Sequence, residues 1–335
     1  MEKKPTNLKV VQGGGNIIKC PLPKPVNATA FLAEQSMVME RARVAAQVRL
    51  SHIKKYGASD KETEEVMKRT KSVEDFVDSL LKSRTDDHPT APWLKQITGC
   101  VTKKGILAEP ICKVIGMIDS FGKYYPKGDM MIPAHITCES ETDETGQEWI
   151  WVEGIERFTT PSKLNKFACM DPGNKQQKGK LNTGSKQLKT VLFRVMSLLF
   201  MMTKNRYYDH YISYKAWKTS ELIMAGKKIR PTPAGRYCAA CEEEFTLKAG
   251  LFCPKCGEKL SKKEEPEVVV WEGHLDMMCR RQTLKLFLSH LWVVYRQAKN
   301  LSVRAPYPVE HMEGQHATII DPWEMCDLLK NEKSA

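Results

Sequence analysis

Residues 31–53 read FLAEQSMVMERARVAAQVRLSHI, and this stretch decides the fold class. Its apolar residues recur at steps of three and four, the spacing of one face of an α-helix, while charged residues fill the other face. The apolar positions are Phe31, Met37, Val38, Val44, Ala45, Val48 and Ile53. The pattern predicts a long helix over about residues 28–56.

A second helix is predicted after the break at Gly57. Ser59-Asp60-Lys61-Glu62 has the form of a capping box, and a helical pattern continues to about residue 83. Its inward side is predicted to carry Val66, Val73, Phe76, Val77, Leu80 and Leu81. Two long helices joined by a tight turn form an antiparallel hairpin that buries little apolar surface alone. We therefore expect it to form a coiled-coil homodimer with a copy of itself.

Composition divides the rest of the chain around this hairpin (residues 28–86). An arm rich in proline and glycine precedes it (1–27), and a compact helical domain follows (87–227) with a β-hairpin insertion at 130–158. A cysteine module spans 228–262, and a helix with an irregular tail closes the chain (263–335). The expected fold class is mainly α.

The 335-residue chain is basic, with a formal net charge of +12 and 41% hydrophobic residues. This charge predicts a polyanionic partner, the alternative being a basic protein that has none. The longest apolar run, residues 195–202, is far shorter than the roughly 20 residues that cross a bilayer. Because the N-terminus also lacks a signal-like apolar segment, we expect a soluble, cytoplasmic protein with no membrane partner.

Four of the eleven cysteines are regularly spaced. Cys238-Ala-Ala-Cys241 and Cys253-Pro-Lys-Cys256 form two knuckles, followed by Gly257, which suits a left-handed turn. Two such pairs across a short hairpin complete a tetrahedral shell of four thiolates, which predicts one structural Zn²⁺ and no catalytic role for it. The alternatives are a redox dithiol pair and chance spacing. The other seven cysteines are expected to be reduced.

A second cluster of interest is the basic run from Lys175 to Arg194. Glycines and amides allow close backbone approach, lysines supply phosphate contacts, and the run leads into a helix N-terminus, which attracts phosphate. A solvated loop is the alternative. The predicted nucleic-acid contacts in the run are Lys175, Lys178, Lys180, Asn182, Lys186, Lys189 and Arg194.

Several segments resemble known RNA-dependent families. APWLKQITG (91–99), ILAEPICKVIGMID (106–119) and FTTPSKLNKFA (158–168) resemble the Nop-type RNA-binding domain of box C/D ribonucleoprotein cores, which follows a coiled-coil hairpin. Together with GKLN (179–182) and LKTVLF (188–193), they also resemble the C-terminal half of RNA-bridged insertion-sequence transposases. The same segments resemble the Tas proteins of TIGR systems, which are RNA-guided DNA-targeting proteins.

This resemblance implies that the chain binds both RNA and DNA. The basic run, with Lys163 in the third motif, is expected to bind a guide RNA, and base pairing then selects a target DNA. The zinc ribbon becomes an insertion in a Nop-like domain that residues 263–335 complete. The host is expected to be a prokaryotic cell, or the chain is phage-encoded.

The chain also departs from its nuclease-bearing and transposase relatives. Residues 1–27 are too few for a RuvC domain, and the cysteine module lacks the His and Asn of an HNH domain, so no catalytic residues are expected. One alternative is a recombinase that uses Ser185 as nucleophile, although a loop serine is usually a turn or cap residue. Another is a zinc-ribbon DNA-binding regulator that needs no RNA.

Three weaker patterns are assigned structural roles. Asp86-Asp87-His88 is interpreted as a turn with a helix cap rather than a metal site. The alternation of side chains along a strand places two of three nearby acids on opposite faces, which argues against a carboxylate pair. The three acids are Glu148, Glu153 and Glu156. Tyrosines at helical spacing are expected to pack in the core more readily than to stack on bases; they are Tyr207, Tyr208, Tyr211 and Tyr214.

Overall fold

The structure is a computed structural model, and it describes residues 8–13, 16–21, 27–120, 122–127, 140–143, 146–171, 184–233, 235–245, 251–261, 265–304 and 320–326. The described residues are mostly helical, which confirms the mainly α class. The chain forms two compact units: unit 1 comprises Met1–Asn205 and Phe287–Ala335, and unit 2 comprises Arg206–Leu286. Within the described ranges, no helix combines the length and apolarity that crossing a bilayer requires.

Two long helices form the predicted hairpin in unit 1. Helix α1 covers Ala28–Lys55, helix α2 covers Lys61–Asp86, and the two pack along each other. The side chain of Asn27 accepts a hydrogen bond from the Ala30 N–H at 2.8 Å, and that of Asp60 accepts one from the Thr63 N–H at 3.0 Å. The cap of α2 is therefore Asp60, one residue later than the predicted capping box places it.

The inward face of α2 is polar, so the predicted set of inward residues is wrong in most members. Arg43 donates to Glu74 at 2.5 Å, and Ser36 donates to Asp78. These polar contacts across the hairpin occupy the buried face, and the apolar residues of α2 turn away from it. Of the predicted set, Leu81 is buried, whereas Val66, Val73, Phe76 and Leu80 are exposed.

Helix α4 (Glu109–Asp119) is the central helix of unit 1, and its residues from Ile111 to Asp119 are buried. Helix α1 packs against it at Gly116, where a Cβ would lie 2.5 Å from the Cβ of Ala33. A glycine is required there because any side chain would force the two helices apart. The short helix α3 (Ala91–Gln96) leads into α4 through a turn that the bridge between Val101 and Leu107 closes.

A small antiparallel sheet lies beside these helices. Its order is β3 (Gly122–Pro126), β5 (Glu148–Glu153) and β4 (Ser140–Thr142), with Tyr124 opposite Trp151. The second strand of the predicted insertion is thus β5, shortened by a 3₁₀ turn at Gly154–Arg157. The predicted first strand, residues 130–138, lies outside the described residues. The N-terminal arm contains a hairpin of β1 (Leu8–Gly13) and β2 (Asn16–Pro21).

Three further helical segments of unit 1 follow the sheet. They are α5 (Pro161–Phe167), α6 (Lys186–Arg194) and α7 (Met201–Thr203), and a π-helical stretch, Val195–Phe200, joins the last two. The C-terminal half of α9 (Glu272–Ala298) supplies core aromatics: Phe287 stacks on Trp93 with ring centroids 6.0 Å apart. Trp292 Nε1 donates to the carbonyl of Phe158 at 2.5 Å.

The described part of unit 2 contains α8 (Arg206–Met224), four short strands and the start of α9. Strand β6 (Lys228–Arg230) pairs in parallel with β9 (Val269–Trp271), and β7 (Arg236–Cys238) pairs with β8 (Glu243–Phe245) in a hairpin. The cysteine module thus lies between two strands that meet side by side at its base.

Candidate metal centre and nucleic-acid interface

The four regularly spaced cysteines come together in unit 2. The sulfur atoms of Cys238, Cys241, Cys253 and Cys256 all lie within 4.8 Å of one another. Among the described residues, this is the one group of three or more His, Cys, Asp and Glu side chains close enough to hold a metal ion. A set of four cysteine ligands is the one that structural Zn²⁺ sites commonly use.

Local folding brings the two knuckles together. The hairpin of β7 and β8 carries Cys238 at the end of its first strand, and Tyr237 pairs with Ser261 beyond the second knuckle. Gly257 adopts a φ of +75°, the left-handed turn that its position predicts. Leu260 packs with the buried Cys238 and Cys253 in a small apolar core, so the fold of the module depends on the cysteine cluster itself.

The pKa values of the cysteine thiols also favour binding of a cation. Burial raises the pKa of Cys253, but N–H groups of Cys256 and Lys255 donate to its sulfur and lower that pKa to about 7. Hydrogen bonding with Cys256 raises the pKa of Cys241 to about 12. One thiol therefore ionises readily, and a second anion so close to it is disfavoured. A divalent cation removes this repulsion and stabilises all four thiolates.

The surface of the ribbon carries both signs of charge. Lys255 forms an ion pair with Glu243 at 2.7 Å, and Glu242 and Glu244 flank that acid. The basic residues Lys248, Lys262 and Lys263 lie outside the described residues. The described part of the ribbon is therefore not a uniformly basic surface, and the metal cluster is its defining feature.

The C-terminal part of the basic run is helix α6, whose N-terminus contacts the C-terminus of α5 in unit 1. The N–H of Ser185 donates to the carbonyl of Phe167 at 2.7 Å, which joins the N-terminus of α6 to the C-terminus of α5. A Cβ on Gly184 would lie 2.7 Å from the same carbonyl, so the chain must approach α5 through a glycine. Residues 172–183, with Lys175, Lys178, Lys180 and Asn182, lie outside the described residues.

Four lysines flank this junction, two on each helix. Lys163 and Lys166 are on α5, and Lys186 and Lys189 are on the first turn of α6. Lys166 and Lys189 have no ion-pair partner in the part of the chain that the structure describes. Lys166 was not predicted as a nucleic-acid contact. Its spacing of three residues from Lys163 places both lysines on one face of the helix and could have identified it. The N-terminus of α6 adds a favourable dipole for anions.

Ser185 is the N-cap of α6. Its hydroxyl oxygen accepts a hydrogen bond from the Leu188 N–H at 3.1 Å. This is the capping role that is usual for a loop serine.

Arg194 differs from the other predicted contacts because it is paired within the protein. Its guanidinium donates to both carboxylate oxygens of Glu40, at 2.7 and 2.5 Å. Lys113, whose side chain is 1% exposed, lies 3.2 Å from the same carboxylate. Burial alone raises the pKa of Glu40, but the hydrogen bond from Arg194 and the charge of Lys113 outweigh it and lower that pKa to about 2.

The weaker patterns have structural partners. Asp86 pairs with Lys95 at 2.7 Å, while His88 lies 3.4 Å from Asp119, so the Asp-Asp-His run does not converge on one point. Tyr207 and Tyr211 are buried, in agreement with core packing, and Tyr211 donates to Asp276.

No protein-family model, curated protein or solved structure matches this chain. The resemblance to Nop-domain proteins, and the partners that it implies, therefore stay predictions.

Proposed function

We propose that this chain is an RNA-binding scaffold that carries a guide RNA to a DNA target and does not itself cleave the DNA. RNA phosphates bind along the basic run from Lys175 to Arg194, and Watson–Crick pairing of the guide selects the target. This is the function expected of a Nop-like domain of the Tas type.

The observation that carries the proposal is the junction of α5 and α6. It brings Lys163 and Lys166 next to Lys186 and Lys189, at the N-terminus of a helix whose cap is complete. The C-terminal part of the basic run is thus a helix that is hydrogen-bonded to α5. Lysines on a helix need less backbone ordering on binding than lysines on a loop, which favours affinity for a backbone of fixed shape.

The ribbon's role in this proposal is structural. One Zn²⁺ held by Cys238, Cys241, Cys253 and Cys256 leaves no open coordination position for water or substrate. The ion would supply folding free energy to a module whose core is little more than its own ligands.

The hairpin supports a homodimer. The exposed residues Val66, Val73 and Leu80 repeat every seven positions along α2, with Phe76 between the last two. The three residues occupy the a positions of a heptad repeat and Phe76 one d position, on the side of α2 that α1 leaves uncovered. A second copy of the hairpin presents the same apolar stripe and is the partner that we propose for it.

Purification tests the guided function directly. We expect the protein to retain a discrete, structured RNA that sequencing identifies, and the Lys166→Ala/Lys189→Ala variant to retain less of it. Lys54→Ala/Lys55→Ala, at the far end of α1, is the matched control and should retain as much as the wild type. Protein that carries no RNA and binds duplex DNA by itself would support the zinc-ribbon regulator instead.

A DNA-joining assay separates the proposal from the recombinase alternative. We expect wild type and Ser185→Ala to be equally inactive in strand transfer. Joining by the wild type that Ser185→Ala abolishes would overturn the scaffold function.

A further inference from the structure

A cleft of about 290 Å³ lies between α1 and α6 in unit 1. Its walls are mostly apolar and come from Met37 and Val44 on α1 and from Val191 on α6. Met37 and Val191 are buried, whereas Val44 is 42% exposed, so the cleft opens to the surface. Its volume is at the lower limit of small-ligand sites, too small for a helix of a partner protein or for a duplex.

Polar groups surround this apolar floor. Gln187 and Thr190 line it from α6 and are exposed, and Arg41 lines it from α1. A glutamine amide offers both a donor and an acceptor, and the Thr190 hydroxyl, which donates to the Lys186 carbonyl at 3.0 Å, still accepts. Arg41 Nε donates to the Met37 carbonyl at 3.1 Å, which holds the guanidinium against the helix. The ligand should therefore have flat apolar faces and a polar edge.

The charge of the cleft does not repel a polyanion. Its one carboxylate, Glu40, is neutralised by Arg194 through two hydrogen bonds and by Lys113. The same pairing fixes the plane of the Arg194 guanidinium, and arginine planes stack on nucleobases.

The cleft continues the basic surface of α6. Gln187 follows Lys186 and Thr190 follows Lys189 in sequence, so lysines and cleft residues alternate along the first turn and a half of the helix. From Ser185 to Thr190 the helix rises about 8 Å. A strand whose phosphates contact the lysines therefore passes the mouth of the cleft.

We propose that the cleft between α1 and α6 binds one unstacked nucleobase of the RNA whose phosphates contact Lys186 and Lys189. The site rests on the proposed RNA-binding function and adds to it a position where the protein contacts a base. Apolar walls receive the faces of the base, and Gln187 and Thr190 meet its edge.

The test uses a single-stranded oligoadenosine RNA that carries one 2-aminopurine, a base whose fluorescence rises when it leaves a stack. Thr190→Trp fills the cleft from an exposed position, and Leu198→Trp, also exposed on the same continuous helix but outside the cleft, is its control. We expect Thr190→Trp to abolish the fluorescence rise and to weaken binding about tenfold, the effect of one lost base contact. The salt dependence of binding should not change, because the phosphate contacts remain.

Four outcomes bear on the proposal. If the wild type binds RNA and Thr190→Trp and Leu198→Trp change that binding equally, the base site is overturned and the RNA-binding function stands. Absence of RNA binding by the wild type would overturn both. Saturable binding of free AMP with no fluorescence change in the RNA would identify a free-nucleotide site and overturn the proposal. Gln187→Ala removes an edge contact without adding volume, so a matching loss of the fluorescence rise in that variant would support the site even if Thr190→Trp misfolds.

Discussion

Arg194 and Glu40 are joined by two hydrogen bonds although 154 residues separate them in the chain. The pair connects α6, the C-terminal part of the basic run, to the first helix of the hairpin. Lys113 approaches the same carboxylate from α4, so one acidic side chain holds three helices of unit 1 together. A carboxylate that receives two hydrogen bonds from one guanidinium is among the strongest ion pairs in proteins.

Replacing this carboxylate should destabilise unit 1. We expect Glu40→Gln to lower the free energy of unfolding by about 2 kcal/mol, because the charges of Arg194 and Lys113 lose their shared partner. Urea denaturation at pH 7 measures the loss. Glu65→Gln removes an exposed i,i+4 pair with Arg69 and should leave the free energy of unfolding almost unchanged.

The same residue predicts a dependence on pH. The pKa of Glu40 is lowered from 4.5 to about 2 in the folded protein, so its contribution is present above pH 4.5 and is lost as the pH falls toward 2. We expect the wild type and Glu40→Gln to converge in stability on acidification across this window. A difference between them that stays constant from pH 7 to pH 3 would show that the charge of Glu40 is not what stabilises the fold.

Metal content is the sharpest check on the cysteine cluster. Elemental analysis should find one zinc ion per chain, and Cys253→Ser should lower the zinc content to well below half because a four-thiolate shell loses a ligand. Cys100→Ala changes a buried cysteine outside the cluster and should leave the zinc content unchanged. Equal zinc in both variants would show that the metal is bound elsewhere.

The lysines at the α5–α6 junction should contribute to RNA binding through phosphate contacts. We expect Lys166→Ala and Lys189→Ala each to reduce the slope of log K against log salt by about 0.7 to 0.9. Fluorescence anisotropy of a labelled RNA across a salt series gives the slope. Lys55→Ala lies at the far end of the hairpin helix, and a reduction of equal size in that variant would count against a localised interface.

The exposed stripe on α2 predicts the oligomeric state. Phe76, which is 62% exposed, lies at the centre of the stripe, and Phe76→Glu would place a charge in an apolar seam. We expect a dimer by analytical ultracentrifugation and an increase of about a hundredfold in its dissociation constant in Phe76→Glu. Lys68→Glu changes the charge at an exposed site away from the stripe; it is the control and should dimerise like the wild type. A monomeric wild type would remove the basis for this interface.

The crossing of α1 and α4 should tolerate no side chain at Gly116. We expect Gly116→Ala to destabilise unit 1 by about 1 to 3 kcal/mol, because the new methyl group overlaps Ala33. Adding Ala33→Gly should restore part of the loss, since it removes the opposing methyl group. Thermal unfolding of the single and double variants measures both effects, and equal melting temperatures for wild type and Gly116→Ala would refute this packing.

Local patterns predicted the elements of this fold better than its contacts. The hairpin, the break at Gly57 and the four cysteines follow from periodicity and spacing, which are properties of nearby residues. The inward face of α2 was mispredicted because the polar partners of Glu74 and Asp78 lie on the other helix, and hydrophobicity alone cannot identify them. Glu40 is likewise one of the charged residues that the helical pattern assigns to the polar face of α1. Its partners Lys113 and Arg194 are distant in sequence, so the pattern cannot identify them.

The parallel pairing of β6 with β9 has a consequence for how this chain can change over evolution. Lys228 lies opposite Val269 and Arg230 opposite Trp271, so the chain leaves for the cysteine module at one end of the strand pair and returns at the other end. Because parallel strands need a crossover connection of about a dozen residues or more, any replacement of the ribbon must be at least that long. The ribbon therefore stands where another module can be inserted: a chain in which a flexible linker of about a dozen residues joins residue 230 to residue 269 should keep α8 and α9 folded.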